Sequence, residues 1–184
     1  MKISASKLSK AMDRAGITAD QLAGALAEPG FSASDAESAI RNWKRGNDHP
    51  RCRAQHMAKM AQALGLAPKN LAIFTSKVNG HRGSPRKAKL LTDLIRGKHV
   101  DVAMNLLSFT SKRAAVNIKK CLAAAMADAQ QADADATELV VCESRVDAAM
   151  TIKRFQPKDR GRAHPILKPL SHITISVAER ERVR

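Results

Sequence analysis

Aromatic side chains are scarce in this sequence. They account for 3% of the 184 residues, with one Trp, four Phe and no Tyr. Proteins that bind single-stranded nucleic acid by stacking its bases rely on aromatic platforms. The composition therefore argues against that class and favours contact with phosphate.

Long apolar runs and paired cysteines are missing as well. The longest apolar runs span a few residues, such as 139–142, whereas a membrane-spanning helix needs roughly 20. Residues 1–6 lead into a polar amphipathic pattern and not into the apolar core of a signal peptide, which predicts a cytoplasmic protein. Cys52, Cys121 and Cys142 lack the spacing of a zinc or redox motif, so we expect reduced, partly buried thiols.

The sequence has no pattern that catalysis would need. None of its six histidines stands at metal-ligand spacing from a partner. It contains neither a glycine-rich phosphate loop nor a nucleophile elbow. We therefore expect no enzymatic activity, no metal and no cofactor.

Positive charge is what the sequence has in excess. Lys and Arg number 32 against 17 for Asp and Glu, a net charge of +15. Residues 1–79 carry 12 basic and 6 acidic side chains, and residues 80–184 carry 20 and 11. Such an excess predicts a polyanionic partner. The stretch 128–147 is acidic instead, and we expect it to point away from phosphate.

Two domains are predicted, 1–76 and 77–184, because Gly and Asn interrupt the helical periodicity near residue 80. The first is predicted to be a small all-α domain of about five helices, with almost no strand signal. Thr18 suits the N-cap of its second helix, and Ser34 or Asp35 that of the third. Gly65 suits the C′ position of the fourth.

The second domain is predicted to be α+β, with three helices, a small antiparallel sheet and a long extended β-hairpin at about 148–172. Ser84 followed by Pro85 predicts a helix start. A shorter helix follows, and Thr110 or Ser111 is expected to begin a long third helix. Two stretches have strand patterns, 139–147 and 173–178.

The predicted hairpin is strongly basic. Residues 153–168 hold six Lys and Arg, one acid and few side chains that could form a core. Gly161 is the expected tip, since glycine permits the positive φ that a turn requires. An exposed arm of this charge makes sense when it is buried in nucleic acid.

Five short strings lie in order along the second domain: RGSPRKAK at 82–89, DLIRGK at 93–98, KRAA at 112–115, RGRA at 160–163 and SHITI at 171–175. Over roughly 105 residues they resemble the ribosomal protein L22 family of the bacterial large subunit. The resemblance implies a structural ribosomal protein of translation that binds large-subunit rRNA and neighbouring ribosomal proteins.

It also implies that the hairpin lines the peptide exit tunnel, where it contacts the nascent peptide. Residues 158–162 are nearest the tip, where the family influences macrolide sensitivity. Asp159 is unusual there, and we expect it either to pair with Arg160 or Arg162 or to face the tunnel lumen.

Apart from Ser84 and Gly161, the candidate rRNA contacts are basic residues on a rigid scaffold. Such residues suit the phosphates and shape of folded RNA. Four of these basic residues, Arg82, Arg86, Lys87 and Lys89, cluster at one helix start. The backbone amides of that helix N-terminus add to the attraction for phosphate. The alternative for each group is a solvated basic face. The candidates are Arg82, Ser84, Arg86, Lys87, Lys89, Arg96, Lys98, Lys112, Arg113, Lys119, Lys153, Arg154, Lys158, Arg160, Gly161, Arg162, His164, Lys168 and His172.

The first domain has strings at 18–26, 40–46 and 57–65 that resemble helix-turn-helix domains of the lambda-repressor or XRE type. In such domains the third helix enters the DNA major groove. Here the turn at 27–34 is longer than usual, and the third helix begins with acids, which repel phosphate. We expect Trp43 in the core. The candidate nucleic-acid contacts are Arg41, Lys44, Arg45, Arg51 and Arg53.

Three interpretations of the first domain stay open. It is an accessory module that docks on rRNA or a ribosomal protein, a regulatory module that binds DNA or mRNA, or a scaffold without a ligand. For the whole chain, the rival to the ribosomal interpretation is a free-standing helix-turn-helix regulator, which predicts a dimer and specific DNA binding.

Overall fold

The computed structural model describes residues 1–27 and 31–180. The chain divides into two compact units, one of residues 1–74 with 132–134 and one of 75–131 with 135 onward. Helices and antiparallel strands are both present, so the α+β class is confirmed. None of the described helices is both long and apolar enough to span a membrane.

The first unit contains five helices around a buried core that includes Leu8, Leu22 and Trp43. The helices are α1 (Ala5–Ala15), α2 (Ala19–Leu26), α3 (Ala33–Lys44), α4 (Ala54–Ala63) and α5 (Pro68–Leu71). A strand that the sequence pattern missed, β1 (Lys2–Ile3), pairs antiparallel with the start of β2 (Ala72–His81). Two residues are too few to show a period of two.

The helix ends of this unit follow the predicted caps with one exception. Thr18 caps α2, and Gly65 lies in the left-handed conformation just after α4, both as predicted. The predicted N-cap of α3 at Ser34 or Asp35 is wrong. Ser32 is the cap, because its Oγ accepts the Asp35 N–H at 3.2 Å and donates to the Asp35 carboxylate at 2.6 Å. The long turn predicted at 27–34 includes residues 28–30, which lie outside the described residues.

The second unit packs three helices on an antiparallel sheet of order β2-β6-β3, and a two-stranded sheet forms the hairpin. The helices are α6 (Pro85–Ile95), α7 (Val100–Phe109) and α8 (Arg113–Gln130). The strands are β3 (Leu139–Ala148), β4 (Ile152–Pro157), β5 (Ala163–Lys168) and β6 (Ser171–Glu179), and a short 3₁₀ turn at Ala136–Glu138 precedes β3. Leu91 and Ile95 of α6 and Ile118 of α8 are buried in this core.

The long helix starts later than predicted. The expected start at Thr110 or Ser111 is wrong, because Thr110 ends α7 and its hydroxyl donates to the Leu106 carbonyl at 2.7 Å. Lys112 is the N-cap of α8, which begins at Arg113. Both of these basic residues therefore stand at the helix N-terminus.

Two strands differ from their sequence patterns. The sequence pattern does not predict β2, because its glycine and asparagine indicate only an interruption between helices. β6 alternates apolar and polar residues as a half-exposed strand would, yet side chains on both of its faces are buried. It is the central strand between β2 and β3, and α8 packs against it. Its Ser176 Oγ is 2.9 Å from Thr75 Oγ1 and donates to the Glu143 carboxylate at 3.2 Å.

No disulfide joins the three cysteines, all of which lie in the described residues; Cys52 and Cys121 are buried as expected, whereas Cys142 is exposed. Burial, aided by the nearby Asp48 carboxylate, raises the pKa of the Cys52 thiol to about 12. Among the described residues, no group of His, Cys, Asp and Glu is arranged to hold a metal ion.

Candidate nucleic-acid interface

A buried histidine shapes the loop between β2 and α6. His81 is 5% exposed, and its Nδ1 accepts a hydrogen bond from the Asn117 amide at 2.6 Å. The imidazole proton of the neutral ring is therefore on Nε2. A Cβ placed on Gly83 would lie 2.6 Å from that Nε2 atom, which is too close for any side chain. The ring thus requires glycine at position 83, between Arg82 and Ser84.

The ring is also kept neutral. Burial, and after it the positive charge of Arg113, lowers the pKa of His81 from its ordinary value of 6.5. Because desolvation and a neighbouring cation both disfavour the charged imidazole, His81 remains a neutral hydrogen-bonding group near pH 7. The cationic character of this region comes from its Lys and Arg residues alone.

None of the three helices described in this unit has a side-chain cap at its N-terminus, and the N-termini of α6 and α8 lie beside candidate residues. α6 follows Ser84, with Pro85 at its first position, and α8 follows Lys112. Backbone N–H groups in the first turn of a helix have no intrahelical partner, and the helix dipole places partial positive charge there. Each uncapped end can therefore donate to a phosphate.

These two helix ends meet the base of the β4–β5 hairpin around an open groove of about 1070 Å³. Six of the residues that line it are Lys or Arg, and none of the lining residues, all within the described part of the chain, is acidic. We call it the basic groove. Its cations are Arg82, Lys87, Lys112, Arg113, Arg154 and Lys168.

The basic groove has an apolar part as well. Leu90 of α6 and Leu167 of β5 line it, and their side chains are 60% and 61% exposed. Ile152, Pro169 and Leu170 lie beside them in the lining. The groove therefore joins cationic and apolar surface, which the helical spacing of Leu90 did not indicate.

Other candidates on the helices lie outside the lining of the groove. Arg86 and Lys89 are exposed on α6. Lys119 is exposed on α8, where its Nζ donates to Ser108 Oγ at 2.8 Å.

Arg96 and Lys98 belong to a loop that covers the edge of β3. The Gly97 and Lys98 backbones exchange hydrogen bonds with Val141 at 2.9 and 3.0 Å. Arg96 Nη2 donates to the Ser144 carbonyl at 2.6 Å and pairs with Asp93 at 2.9 Å. Arg96 is thus held at the surface by two contacts while its side chain stays 51% exposed, and the Lys98 side chain is exposed.

His172 also makes an internal contact. Its Nδ1 accepts the backbone N–H of Gly80 at 3.2 Å, which links β6 to β2. This contact places the ring at the sheet, away from the lining of the basic groove.

The hairpin is exposed along almost its whole length. β4 and β5 pair from Ile152 opposite Lys168 to Pro157 opposite Ala163. The turn closes with the Lys158 N–H donating to the Arg162 carbonyl at 2.7 Å. Gly161 has φ of +70°, as predicted for the tip, and Arg160 also has a positive φ of +54°.

The basic side chains of the hairpin outside the groove point to solvent. They are Lys153, Lys158, Arg160, Arg162 and His164. Within the described residues, no ion pair joins Asp159 to Arg160 or Arg162, so the first of the two expected roles of Asp159 is absent.

The first unit gathers its candidates at the end of α3 and in the loop to α4. Trp43 is fully buried, as predicted, and its Nε1 donates to the Pro50 carbonyl at 2.7 Å, which fastens this loop. Arg41 pairs with Glu37 one turn earlier. The remaining four, Lys44, Arg45, Arg51 and Arg53, are exposed.

Sequence reasoning missed His81, Asn117 and the apolar part of the groove. His81 had no partner nearby in the chain, because Asn117 follows 36 residues later. The only local signal is the glycine between Arg82 and Ser84.

Residues 76–178 match the family model described as ribosomal protein L22p/L17e. The match covers more than half of the 184-residue chain. It includes every residue that lines the basic groove and the whole β4–β5 hairpin.

Proposed function

Because the chain belongs to the ribosomal protein L22p/L17e family, we propose that its basic groove and hairpin are the surfaces that bind large-subunit rRNA. Membership makes the protein a structural, non-enzymatic constituent of the large ribosomal subunit that binds rRNA and acts in translation. Neighbouring ribosomal proteins are its further partners.

The observation that carries this proposal is the meeting of six cations and two uncapped helix ends around a groove without acids. Folded RNA presents phosphates and 2′-hydroxyls on its surface. Arg forks and Lys ammonium groups bind phosphate oxygens, and first-turn amides add donors of fixed direction. The groove thus offers phosphate several donors at once.

We assign the predicted residues two different roles. Those in the groove, on the exposed faces of α6 and α8 and along the hairpin contact rRNA. Arg96 and His172 act within the protein surface as structural contacts, since each makes a hydrogen bond to the backbone of a neighbouring strand. His81 positions the loop that carries Arg82 and Ser84.

The hairpin, in this proposal, extends from the globular unit to line the peptide exit tunnel. Six paired residues in each strand make an arm of about 20 Å at roughly 3.3 Å per residue. Its side chains have little core to pack against and carry positive charge, which suits a surrounding of RNA. The turn at 158–162 is the part that reaches nearest the nascent peptide, and Asp159 faces the lumen.

For the first unit we propose an accessory role on the cytoplasmic large subunit, as a module that docks on rRNA or on a neighbouring ribosomal protein. Asp35 in the first turn of α3 and the pairing of Arg41 with Glu37 weaken the attraction of that helix for DNA phosphate. The second candidate is a helix-turn-helix regulator that binds DNA or mRNA. The exposed cations Lys44, Arg45, Arg51 and Arg53 are the observation in its favour.

Sedimentation of a cell lysate through a gradient in high salt tests this function. Mass spectrometry of the intact chain across the fractions should find it on the large subunit, in one copy per particle. A chain that sediments free or as a dimer would overturn the proposal and favour the regulator.

A further inference from the structure

The apolar part of the basic groove needs an explanation that phosphate binding does not supply. Leu90 and Leu167 are each more than half exposed, and both line the same groove as the six cations. Exposing apolar surface to water is unfavourable. A phosphate cannot cover these side chains, so the ligand of the groove has an apolar portion beside its negative charge.

We infer that the basic groove holds one unstacked nucleotide of the rRNA, with its phosphate among the cations and its base against Leu90 and Leu167. This inference rests on the proposed function and adds the way in which the RNA is read. A groove of about 1070 Å³ is at the upper end of the roughly 300–1000 Å³ found for small-ligand sites. That volume admits a whole nucleotide.

Regular duplex RNA fits this groove poorly. In an A-form helix the bases are stacked inside, and the surface presents phosphates and sugars. Such a surface would neutralise the cations but leave Leu90 and Leu167 facing water or hydroxyls. Nucleotides in loops and bulges are splayed out, and their bases are free to contact side chains.

One further group in the groove, Arg154, suits a base. Arg154 lines it, and its Nη1 donates to the Lys153 carbonyl at 2.8 Å, which holds the guanidinium plane in place. Bases stack on such planes as well as on aromatic rings. His81 lines the groove only as a buried ring packed against Gly83.

The contrast between short RNAs with and without bases tests the inference directly. The full-length chain is titrated at low salt with single-stranded pentanucleotides of A, C, G and U, and with an abasic ribose-phosphate pentamer of equal charge. At least one of the four should bind about fivefold more tightly than the abasic chain. Equal affinity of all five, or no binding of any, overturns the inference.

Variants locate the effect in the groove. Leu90→Ser with Leu167→Ser should abolish the preference for bases and leave the affinity for the abasic pentamer unchanged. Both side chains are largely exposed, so the fold should persist. Leu94→Ser is the matched control, because Leu94 is 40% exposed on the same helix but does not line the groove. A preference that survives the double variant overturns the inference.

Phe155 provides a second control. It is exposed on β4 outside the groove lining, and it is the aromatic on which a base would stack if the hairpin alone were the reader. Loss of the preference in Phe155→Ser but not in the double Leu variant places the base there and refutes the groove. If the unaltered chain shows no salt-dependent binding of large-subunit rRNA, the proposed function is refuted instead.

Discussion

The basic groove and the basic segment of the first unit at 41–53 contain the same residue types in different electrostatic surroundings. The groove places its cations beside two uncapped helix N-termini and without an acid. In the segment, Arg41 and Lys44 occupy the last turn of α3, where they stabilise the negative end of that helix. Arg41 is further paired with Glu37.

This difference shows that the number of basic residues does not by itself identify a phosphate site. The charge of a cation in the last turn of a helix, or beside a carboxylate, is partly neutralised by that helix end or by that carboxylate. Cations at a helix N-terminus add to the field of the free amides. The segment has one uncapped N-terminus of its own, that of α4 after Arg53, against two in the groove.

Reversing the charge of two residues in each region should give the largest difference in rRNA affinity between the two regions. Lys87→Glu with Arg113→Glu removes two phosphate contacts and introduces repulsion, so affinity for large-subunit rRNA should fall about 100-fold near physiological salt. The matched pair, Lys44→Glu with Arg45→Glu, should change it by less than about threefold. Filter binding over a salt series measures both. Equal losses would mean that binding follows net charge alone.

Substitutions at the hairpin tip should change rRNA binding less than the charge reversals in the groove. Arg160→Ala with Arg162→Ala removes charge without reversing it, and the slope of log affinity against log salt should fall by about 1.4 to 1.8. Both side chains are exposed, so the free energy of unfolding should not change. An unaltered salt dependence would mean that the tip faces the tunnel lumen and not RNA.

A side chain at Gly83 should lower the stability of the second unit, because it would collide with His81. Gly83→Ala places a Cβ 2.6 Å from the buried imidazole, which should lower the free energy of unfolding of the second unit by about 1–3 kcal/mol. Urea denaturation measures the loss. In a His81→Ala background, where the ring is gone, the same substitution should cost little. Additive effects of the two substitutions would contradict the assigned contact.

The smallest effect is expected from pH, and it comes from His81 beside the groove. The pKa of His81 is lowered in the folded protein, so the unfolded chain binds the proton more readily. The free energy of unfolding should therefore be fully retained above about pH 6.5 and decrease as pH falls from there towards the folded pKa.

Histidine NMR titration and denaturation at several pH values check this sign. His81→Gln should flatten the dependence between pH 6.5 and 5 while keeping an uncharged hydrogen-bonding side chain. A folded-state pKa of His81 above its ordinary value would contradict the expected direction.

Several elements of the second unit could be predicted because their signals are local. Ser84 and Pro85 start α6, the β4–β5 turn needs a positive φ at Gly161, and the run 139–147 forms β3. The helix starts at Ser32 and Lys112 were misplaced by one to three residues, since several adjacent residues could have capped each helix and only backbone geometry selects among them.

Less of the candidate functional surface could be predicted from the sequence. Basic strings predicted most of the cations of the groove, but not that α6, α8 and the hairpin base would line one cavity. Arg96 is predicted to contact RNA, and the sequence did not indicate that its guanidinium also donates to the Ser144 carbonyl. Leu90 followed helical spacing, yet it is exposed because its side of α6 faces the groove.

The sequence by itself determined the charge, the order of the helices and of β3 and β6 in the second unit, and the basic hairpin, because composition, turn residues and short-range periodicity are local properties. Only the tertiary structure decided which charges act together. His81 contacts Asn117, which lies 36 residues later in the chain, and β6 is buried on both faces in a sheet against which α8 packs. Burial, pairing and the convergence of helix ends depend on contacts distant in the chain, and no local pattern encodes them.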